Sequence, residues 1–250
     1  MPVRPLAPAG LAAHRAQPWQ FLLAHLGLPL AIGVPLFALL MGGGGDQWLA
    51  DQLYRLEGGH WALQNAWATT ALVHRAGKWL STLGALLAIL LCFHHWRRGR
   101  DRTLRWALLY VVVAVALGTG LVSLLKAHLP MECPWDLLRY GGHERFVGLF
   151  DTRPAGMPSN ACFPAGHASA GYAWLSLYFF ALLWRPQWRW AGLTIGVAGG
   201  LLFGISQQLR GAHFLSHDVA TALLCWLLSL GLYLLVRWQL DRPTRQEARA

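Results

Sequence analysis

Three short polar segments each lie at the end of a long apolar run, and together they contain residue types that handle phosphate esters. The first begins at Lys126, the second ends at His167, and the third holds Arg210 and His213, followed by His217. Cations can hold phosphate oxygens, one imidazole can attack phosphorus, and a second can protonate the leaving oxygen. These residue types therefore predict a phosphate-ester site, provided that folding brings the segments together.

The spacing within the segments favours convergence on one anion. Gly166 directly precedes an apolar run, and the first backbone N–H groups of a helix that starts there can point at a phosphate. Arg210 and His213 are three residues apart and share a face if their turn is helical, and His217 lies four residues beyond His213. Asp218 is a second candidate for the group that orients the ring of His213.

The composition indicates that membrane-spanning helices position these segments. The chain has 250 residues, of which 55% are hydrophobic and 13% are charged. The charged share is roughly half that of a typical soluble domain, so a soluble helical bundle would lack the polar surface to cover itself. The net charge of +10 would suggest nucleic acid in a soluble protein. Here the cations cluster in short loops, which is typical of orientation signals and contacts with anionic lipids, so we expect no nucleic acid partner.

We predict an all-α integral membrane bundle of six transmembrane helices in a single domain, 1–250. Each span is a mostly apolar run of the length that a bilayer requires. Between the first two spans, apolar residues recur at near-helical spacing around Trp48 and Leu53, which predicts an amphipathic interfacial helix after the first span. The predicted spans are 21–41, 79–96, 106–125, 168–184, 190–209 and 219–238.

Lys and Arg in the loops predict the orientation. The most basic segments are the two tails, 1–19 and 239–250, and the turns at 97–105 and 185–189. With six spans they fall on one side, which the positive-inside rule assigns to the cytoplasm. The loops 42–78 and 126–167 then face outward, together with all three polar segments. We expect a bacterial inner membrane protein with both termini cytoplasmic and its site facing the periplasm.

Four cysteines fall into two groups. Cys92 and Cys225 lie inside predicted spans, where cysteine usually packs like a small apolar residue. Cys133 and Cys162 lie in the long outer loop, and an oxidising outer compartment permits a disulfide between them. Two free thiols are the alternative. The pattern does not favour a zinc site, because no Cys-x-x-Cys or His-x-x-x-His pair accompanies these cysteines.

These motifs resemble those of the type 2 phosphatidic acid phosphatase superfamily, membrane lipid phosphatases related to vanadium haloperoxidases. That family has the motifs Lys-x6-Arg-Pro, Pro-Ser-Gly-His and Ser-Arg-x5-His-x3-Asp. The similarity covers roughly 126–218 together with the six-span layout. The corresponding segments are Lys126 to Pro134, Pro164-Ala165-Gly166-His167, and Ser206 to Asp218.

The resemblance implies a role for each residue. His213 would be the nucleophile that forms a phosphohistidine, and His167 would be the acid that protonates the leaving oxygen. His217 or Asp218 would support the ring of His213. No metal or other cofactor is implied. The groups implied to hold the phosphate are Lys126, Arg210, Ala165 and Gly166.

Four positions depart from the family's motifs. Arg210, one helical turn beyond the usual position, is a candidate to replace the arginine of the third motif, and Arg139 is a candidate for the missing contact of the first. A neutral His217 could accept a proton from His213, but it would stabilise the cation of that ring less than a carboxylate does. The departures are Cys133 in place of Arg, Ala165 in place of Ser, Gln207 in place of Arg, and His217 in place of Asp.

The leading hypothesis is an enzyme that hydrolyses a lipid phosphate or diphosphate. Its partners would be that lipid substrate and the surrounding membrane lipids, with no required protein partner. A phosphotransferase that passes the group to another lipid is a close alternative, and an inactive relative is another. A transporter would be expected to show inverted repeats, and a haem protein would place histidine pairs within facing spans. Neither pattern is evident in the sequence.

Overall fold

The computed structural model describes residues 17–99, 101–158 and 160–242. Most of the two predicted cytoplasmic tails, 1–16 and 243–250, lies outside these residues. The described chain is helical, and its β structure is limited to two isolated bridges, Met131 with Ala161 and Leu137 with Glu144. The helices are α1 (Pro18–Met41), α2 (Gly45–Leu56), α3 (Ala68–Arg98), α4 (Arg102–His128), α5 (Gly166–Tyr172), α6 (Ser176–Trp184), α7 (Pro186–Leu209) and α8 (Leu215–Asp241).

Five of the described helices are long and apolar enough to cross a membrane: α1, α3, α4, α7 and α8. The sequence predicted six spans, and this count is not confirmed. The fourth predicted span is helical throughout but is divided into α5 and α6 by the 3-10 turn Ala173–Leu175. Its first turns carry His167 and Ser169, which lower its hydropathy. A multi-pass membrane protein is nevertheless the architecture that these helices indicate.

The second predicted span begins earlier than the sequence suggested. Residues 68–78, assigned to the outer loop, belong to α3, and Ala68–Ala76 form a π-helical segment at its start. Short π-helical segments within longer helices are often found at functional sites. This segment carries His74 to the end of the bundle that holds the three polar segments.

The core is built where α4, α5, α6 and α8 meet. Tyr110 of α4, Phe179 of α6 and Cys225 of α8 are among its fully buried side chains. Helix α7 approaches α5 closely because glycines face each other: a Cβ on Gly171 would lie 2.3 Å from the backbone of Gly199 and Gly200. Close helix contacts through small residues are typical of membrane bundles, and this one holds α5 firmly in place.

Helices α4 and α8 run antiparallel, which defines the two ends of the bundle. At one end, the Arg102 guanidinium donates to the carbonyls of Gln239 and Leu240. At the other end lie Lys126, near the end of α4, and His217, in the first turn of α8. The loop 129–165 covers this second end, so the candidate site has a protein roof.

Helix α2 forms part of the same roof. A second apolar cluster joins Ala50 of α2 to Trp61, Tyr140 and Phe214. Buried Asp46, in the first turn of α2, accepts hydrogen bonds from the backbone N–H and the hydroxyl of Ser216. The predicted helix after the first span is therefore present and packs on the site's roof; its position at a membrane interface stays a prediction.

Candidate active site

Two buried histidines face each other at the start of α8. Nδ1 of His213 lies 3.3 Å from Nδ1 of His217. His213 is 4% exposed and His217 is fully buried. In a hydrogen bond between two neutral imidazoles, one nitrogen donates and the other accepts. When His213 donates from Nδ1, its Nε2 carries the free lone pair that a nucleophile requires.

The turn that presents His213 depends on a glycine. Gly211 has a φ of 68°, in the left-handed region, and a Cβ there would lie 2.4 Å from the ring of Trp61. Only glycine satisfies both conditions without strain. The Gly211 carbonyl accepts from the N–H of Trp135 at 2.9 Å. The roof and the first-motif loop thus hold this turn from the side opposite the bundle.

The surroundings of His213 keep its imidazole neutral. Burial lowers the pKa of His213 well below its ordinary value, and the charges of His217, Lys126 and His167 lower this pKa further. The backbone of Cys162 opposes this effect. Burial disfavours the imidazolium, and nearby positive charge does the same. A neutral His213 is the form that can attack phosphorus.

The second polar segment is bonded directly to the start of α8. The Ala165 N–H donates to the His217 carbonyl at 3.4 Å, and the Thr221 hydroxyl donates to the Ala165 carbonyl at 3.3 Å. Gly166 then begins α5, as the sequence suggested. These bonds fix where the α5 helix starts, and therefore where His167 lies relative to the pair of buried histidines.

Lys126 and His167 meet at the first turn of α5. The ammonium nitrogen of Lys126 lies 3.5 Å from the position that a Cβ on Gly166 would occupy. Nδ1 of His167 is buried and has no hydrogen-bond partner among the described residues. Buried polar atoms are rarely left without a partner. A ligand that accepts or donates here would satisfy this imidazole.

Arg210 is anchored by three contacts. Its Nε donates to the Gln64 carbonyl at 2.8 Å, and its Nη1 donates to Oε1 of Gln207 at 3.3 Å. The guanidinium carbon also lies 5.8 Å from the centre of the Trp135 ring. Gln207 occupies the family's arginine position, so the amide of that residue positions the guanidinium found one turn later.

The two candidates for the partner of His213 have different surroundings. His217 contacts the His213 ring, whereas Oδ2 of Asp218 accepts from Nε2 of Gln208 at 2.5 Å. Asp218 also lies against Gly204 of α7, where a Cβ would be 2.5 Å from the carboxylate. The structure therefore brings His217 to His213 and directs Asp218 towards α7.

Cys133 and Cys162 form the predicted disulfide, with their Cα atoms 5.3 Å apart. The bond joins the first-motif loop to the segment that leads into His167. Arg139, the candidate for the missing first-motif contact, is held elsewhere: Asp51 accepts from its Nε at 2.7 Å and from its Nη2 at 2.5 Å. The hydrogen bond from Arg139 lowers the pKa of Asp51.

Among the described residues, one group of potential metal ligands lies close together: Cys133, Asp136 and Cys162. Two of its three ligand atoms are the sulfurs of the disulfide, and metals bind thiolates rather than disulfides. This group therefore does not form a metal site while the disulfide is intact.

Sequence reasoning missed His74. Its ring centre lies 3.9 Å from that of His167, with the planes tilted by 39°. His74 was assigned to an outer loop, outside the three motifs, because the segment before 79 mixes polar and apolar residues. The signal that could have found it is the four-residue spacing of His74 and Lys78, which places both on one face of a helix.

Together these groups can perform phosphoryl transfer. The requirements are a nucleophile, an acid for the leaving oxygen, and cations for the phosphate oxygens. His213, His167, Lys126 and Arg210 provide these residue types at one end of the bundle. Comparison with curated proteins and with solved structures gives no match. A family profile described as the PAP2 superfamily matches residues 107–241, which contain all three motifs. The chain therefore belongs to the PAP2 superfamily, that of the type 2 phosphatidic acid phosphatases.

Proposed function

We propose that the protein hydrolyses a lipid phosphate or diphosphate through a phosphohistidine on His213. The observation that carries the proposal is the buried contact between His213 and His217, with Lys126 and His167 near enough to lower the pKa of His213. Membership of a superfamily of phosphoesterases supports the reaction class. The apolar helices around the site support a lipid as the substrate.

In the first step, Nε2 of His213 attacks phosphorus, and the bond from phosphorus to the leaving oxygen breaks. His167 donates a proton to that oxygen, so the product leaves as a neutral alcohol or a protonated phosphate. The His213 ring becomes cationic, and Nδ1 of His217 accepts its Nδ1–H bond. Lys126 and Arg210 balance the charge on the phosphate oxygens throughout.

In the second step, water attacks the phosphorus of the phosphohistidine. His167, now neutral, accepts a proton from the water, and the bond between nitrogen and phosphorus breaks. Inorganic phosphate is released and His213 returns to its neutral form. Burial, with the positive charges around it, lowers the pKa of His167 to about 3, so this ring is neutral before substrate binds, and the negative charge of the bound phosphate raises the pKa. His167 therefore takes up a proton with the substrate and returns to that protonated form at the end of the cycle, so protons and electrons balance over the two steps.

The proposed location is the outer face of a bacterial inner membrane. The site lies at the bundle end opposite Arg102, and the basic turn 97–105 lies at the Arg102 end. The positive-inside rule supports a cytoplasmic position for that end. The disulfide supports an oxidising compartment on the side of the site.

The test is phosphate release from a panel of lipid phosphates in detergent micelles. His213→Ala is expected to lose activity by about 10³-fold or more, because nucleophile removal abolishes the covalent route. His128→Ala is the matched control, since His128 is an exposed residue bonded only to the Leu124 carbonyl among described atoms. Labelled substrate should leave phosphate on the wild-type protein after an acid-free quench.

A second variant separates the acid from the nucleophile. His167→Ala should lose about 10²–10⁴-fold on a lipid phosphate, whose leaving oxygen needs a proton. The loss should be much smaller with p-nitrophenyl phosphate, whose leaving group departs without one. Equal phosphate release by His213→Ala and the parent protein would refute the mechanism. A phosphohistidine that forms on another residue would refute the assignment of His213.

A further inference from the structure

A polar cavity has His167, but not His213, in its lining. It has a volume of about 440 Å³ and lies between α3, α4, α5 and α7. Its apolar wall is formed by residues such as Ala85, Val115 and Phe203. Its polar groups are hydroxyls, two imidazoles, one ammonium group and one amide, and no carboxylate belongs to the lining that the structure describes. The members that the following argument uses are His74, Lys78, Gly166, His167 and Gln207.

The cations around this cavity have no protein counter-charge. Within the described parts of the chain, the two ion pairs are Arg139 with Asp51 and Arg153 with Glu132. Lys78, Lys126 and Arg210 take part in neither pair. All three cations lie close enough to the partly buried His167 to lower its pKa. They repel one another, and an anion that enters removes this repulsion. Lys78 is the one of these three cations that lines the cavity.

Contacts around Gln207 determine how His74 faces the cavity. The Gln207 side-chain oxygen accepts from Arg210 at 3.3 Å, so its nitrogen must be the atom that faces His74. This nitrogen lies 3.5 Å from Nδ1 of His74. A donor at Nδ1 places the ring proton of a neutral imidazole on Nε2. His74 therefore presents an N–H donor, and Lys78, one turn later, presents an ammonium group on the same face of α3.

We propose that His74 and Lys78 form a second phosphate subsite, which binds the α-phosphate of a lipid diphosphate while His213 attacks the β-phosphate. This inference rests on the proposed function. The His167 ring contacts His74, with ring centres 3.9 Å apart, and it directly follows Gly166, beside which the Lys126 ammonium lies, so we assign to His167 the protonation of the bridging oxygen. The bond from the β-phosphorus to that oxygen breaks, and the products are a lipid monophosphate and, after water attack, inorganic phosphate. The lipid chain extends along the apolar wall.

The subsite predicts selectivity between two substrates that differ by one phosphate. The probes are farnesyl diphosphate and farnesyl monophosphate, assayed in the same micelles with the full-length protein. The wild-type protein should favour the diphosphate. Lys78→Gln and His74→Gln should each lower the ratio of the two kcat/KM values by about 10-fold, the usual effect of losing one charge-assisted contact to phosphate.

Arg75→Gln is the matched control, because Arg75 is a cation of the same helix that does not line the cavity. It should leave the ratio as it is in the parent protein. Lys78 is exposed, so its replacement does not disturb the core. A ratio that does not change in Lys78→Gln and His74→Gln would overturn the subsite, whether both rates fall together or neither falls.

A binding measurement distinguishes failure of the subsite from failure of the proposed function. Farnesyl methylenebisphosphonate and farnesyl phosphonate are analogues that cannot be hydrolysed at the bridge, and their dissociation constants can be measured on His213→Ala. Tighter binding of the bisphosphonate that is lost in Lys78→Gln supports the subsite even if no hydrolysis occurs. Equal binding of the two analogues overturns it, even in an active phosphatase.

Discussion

The contact between His213 and His217 makes a prediction that can be worked out from atomic positions. His217→Ala removes the group 3.3 Å from Nδ1 of a ring that is 4% exposed, so water cannot readily replace it. Leaving a buried donor without a partner costs about 1–3 kcal/mol. This free energy should add to the barrier of the step that makes His213 cationic. The rate of phosphohistidine formation should then fall by about 5- to 150-fold.

His217→Asn is the matched variant. The side-chain oxygen of asparagine and Nδ1 of histidine are both bonded to Cγ, so Oδ1 can occupy nearly the same place and accept the same hydrogen bond. The rate of phosphohistidine formation should recover to within a few-fold of the parent value. Rapid-quench measurement with labelled substrate in detergent gives the rate, and a thermal melt confirms folding. If His217→Ala is as fast as the parent protein, or if His217→Asn is as slow as His217→Ala, the pair does not act as described.

His217→Asp adds charge at the same place and should move the pH profile. In the parent protein, burial and neighbouring charges hold the pKa of His213 below the ordinary histidine value of about 6.5. His213 therefore stays neutral, and able to act as the nucleophile, at pH values below that ordinary value. Protonation at lower pH then removes activity. A carboxylate at Nδ1 favours the imidazolium and raises the pKa of His213, so activity should be lost at a higher pH than in the parent protein. If His217→Asp loses activity at the same pH as the parent protein, or at a lower pH, this electrostatic argument is contradicted.

Two further predictions concern the framework of the site. Gly211→Ala should lower the free energy of unfolding by about 1–2 kcal/mol or more, because a left-handed residue gains a Cβ that meets Trp61. Gly120→Ala is the control, since a Cβ there meets open space. Equal melting temperatures of the two variants in detergent would refute the reasoning. Joint replacement of Cys133 and Cys162 by serine should cost about 3 kcal/mol, because the disulfide closes a long loop in the unfolded chain. Alkylation of the denatured protein without reductant should label only the two cysteines that lie inside helices, and labelling of all four would show that the bond is absent.

The parts of the site that lie next to apolar runs could be predicted from the sequence. Gly166 begins a helix and Lys126 lies near the end of another, and both positions follow from the boundaries of the apolar runs. The spacing of four between His213 and His217 places the second ring within reach of the first in a helical turn. The disulfide was predictable for a different reason: two cysteines shared one loop, on the side that charge counting placed in an oxidising compartment.

The contributions of the segment before Trp79 could not be predicted in the same way. It carries His74 and Lys78 among small and apolar residues, with no continuous apolar run, so hydropathy did not distinguish a helix from a loop. It enters the site only because α3 begins at Ala68 with a π-helical segment, which alters the facing of side chains relative to a regular α-helix. Such a start depends on tertiary packing rather than on local propensity.

The ion-pair partners of the charged residues in the roof could not be predicted from the sequence either. Arg139 pairs with Asp51 of α2, a residue far away along the chain. Glu132 is completely buried and is paired with Arg153. Both pairs depend on where the loop 129–165 folds back over the bundle. An arginine near a motif is therefore a weak prediction of a phosphate contact until its possible partners are placed.

The departures from the family's motifs form a consistent electrostatic pattern. Where the family has an arginine, Gln207 contacts both Arg210 and His74, so one amide links a displaced guanidinium to an imidazole from α3. Where the family has a carboxylate, His217 keeps an acceptor at the same distance from Cγ but contributes no negative charge. The site has therefore lost an anion that would repel a highly charged substrate, and Lys78 places beside the cavity a cation that offsets the first-motif arginine lost at Cys133. A substrate with more negative charge than a monoester is the ligand whose binding gains most from both changes.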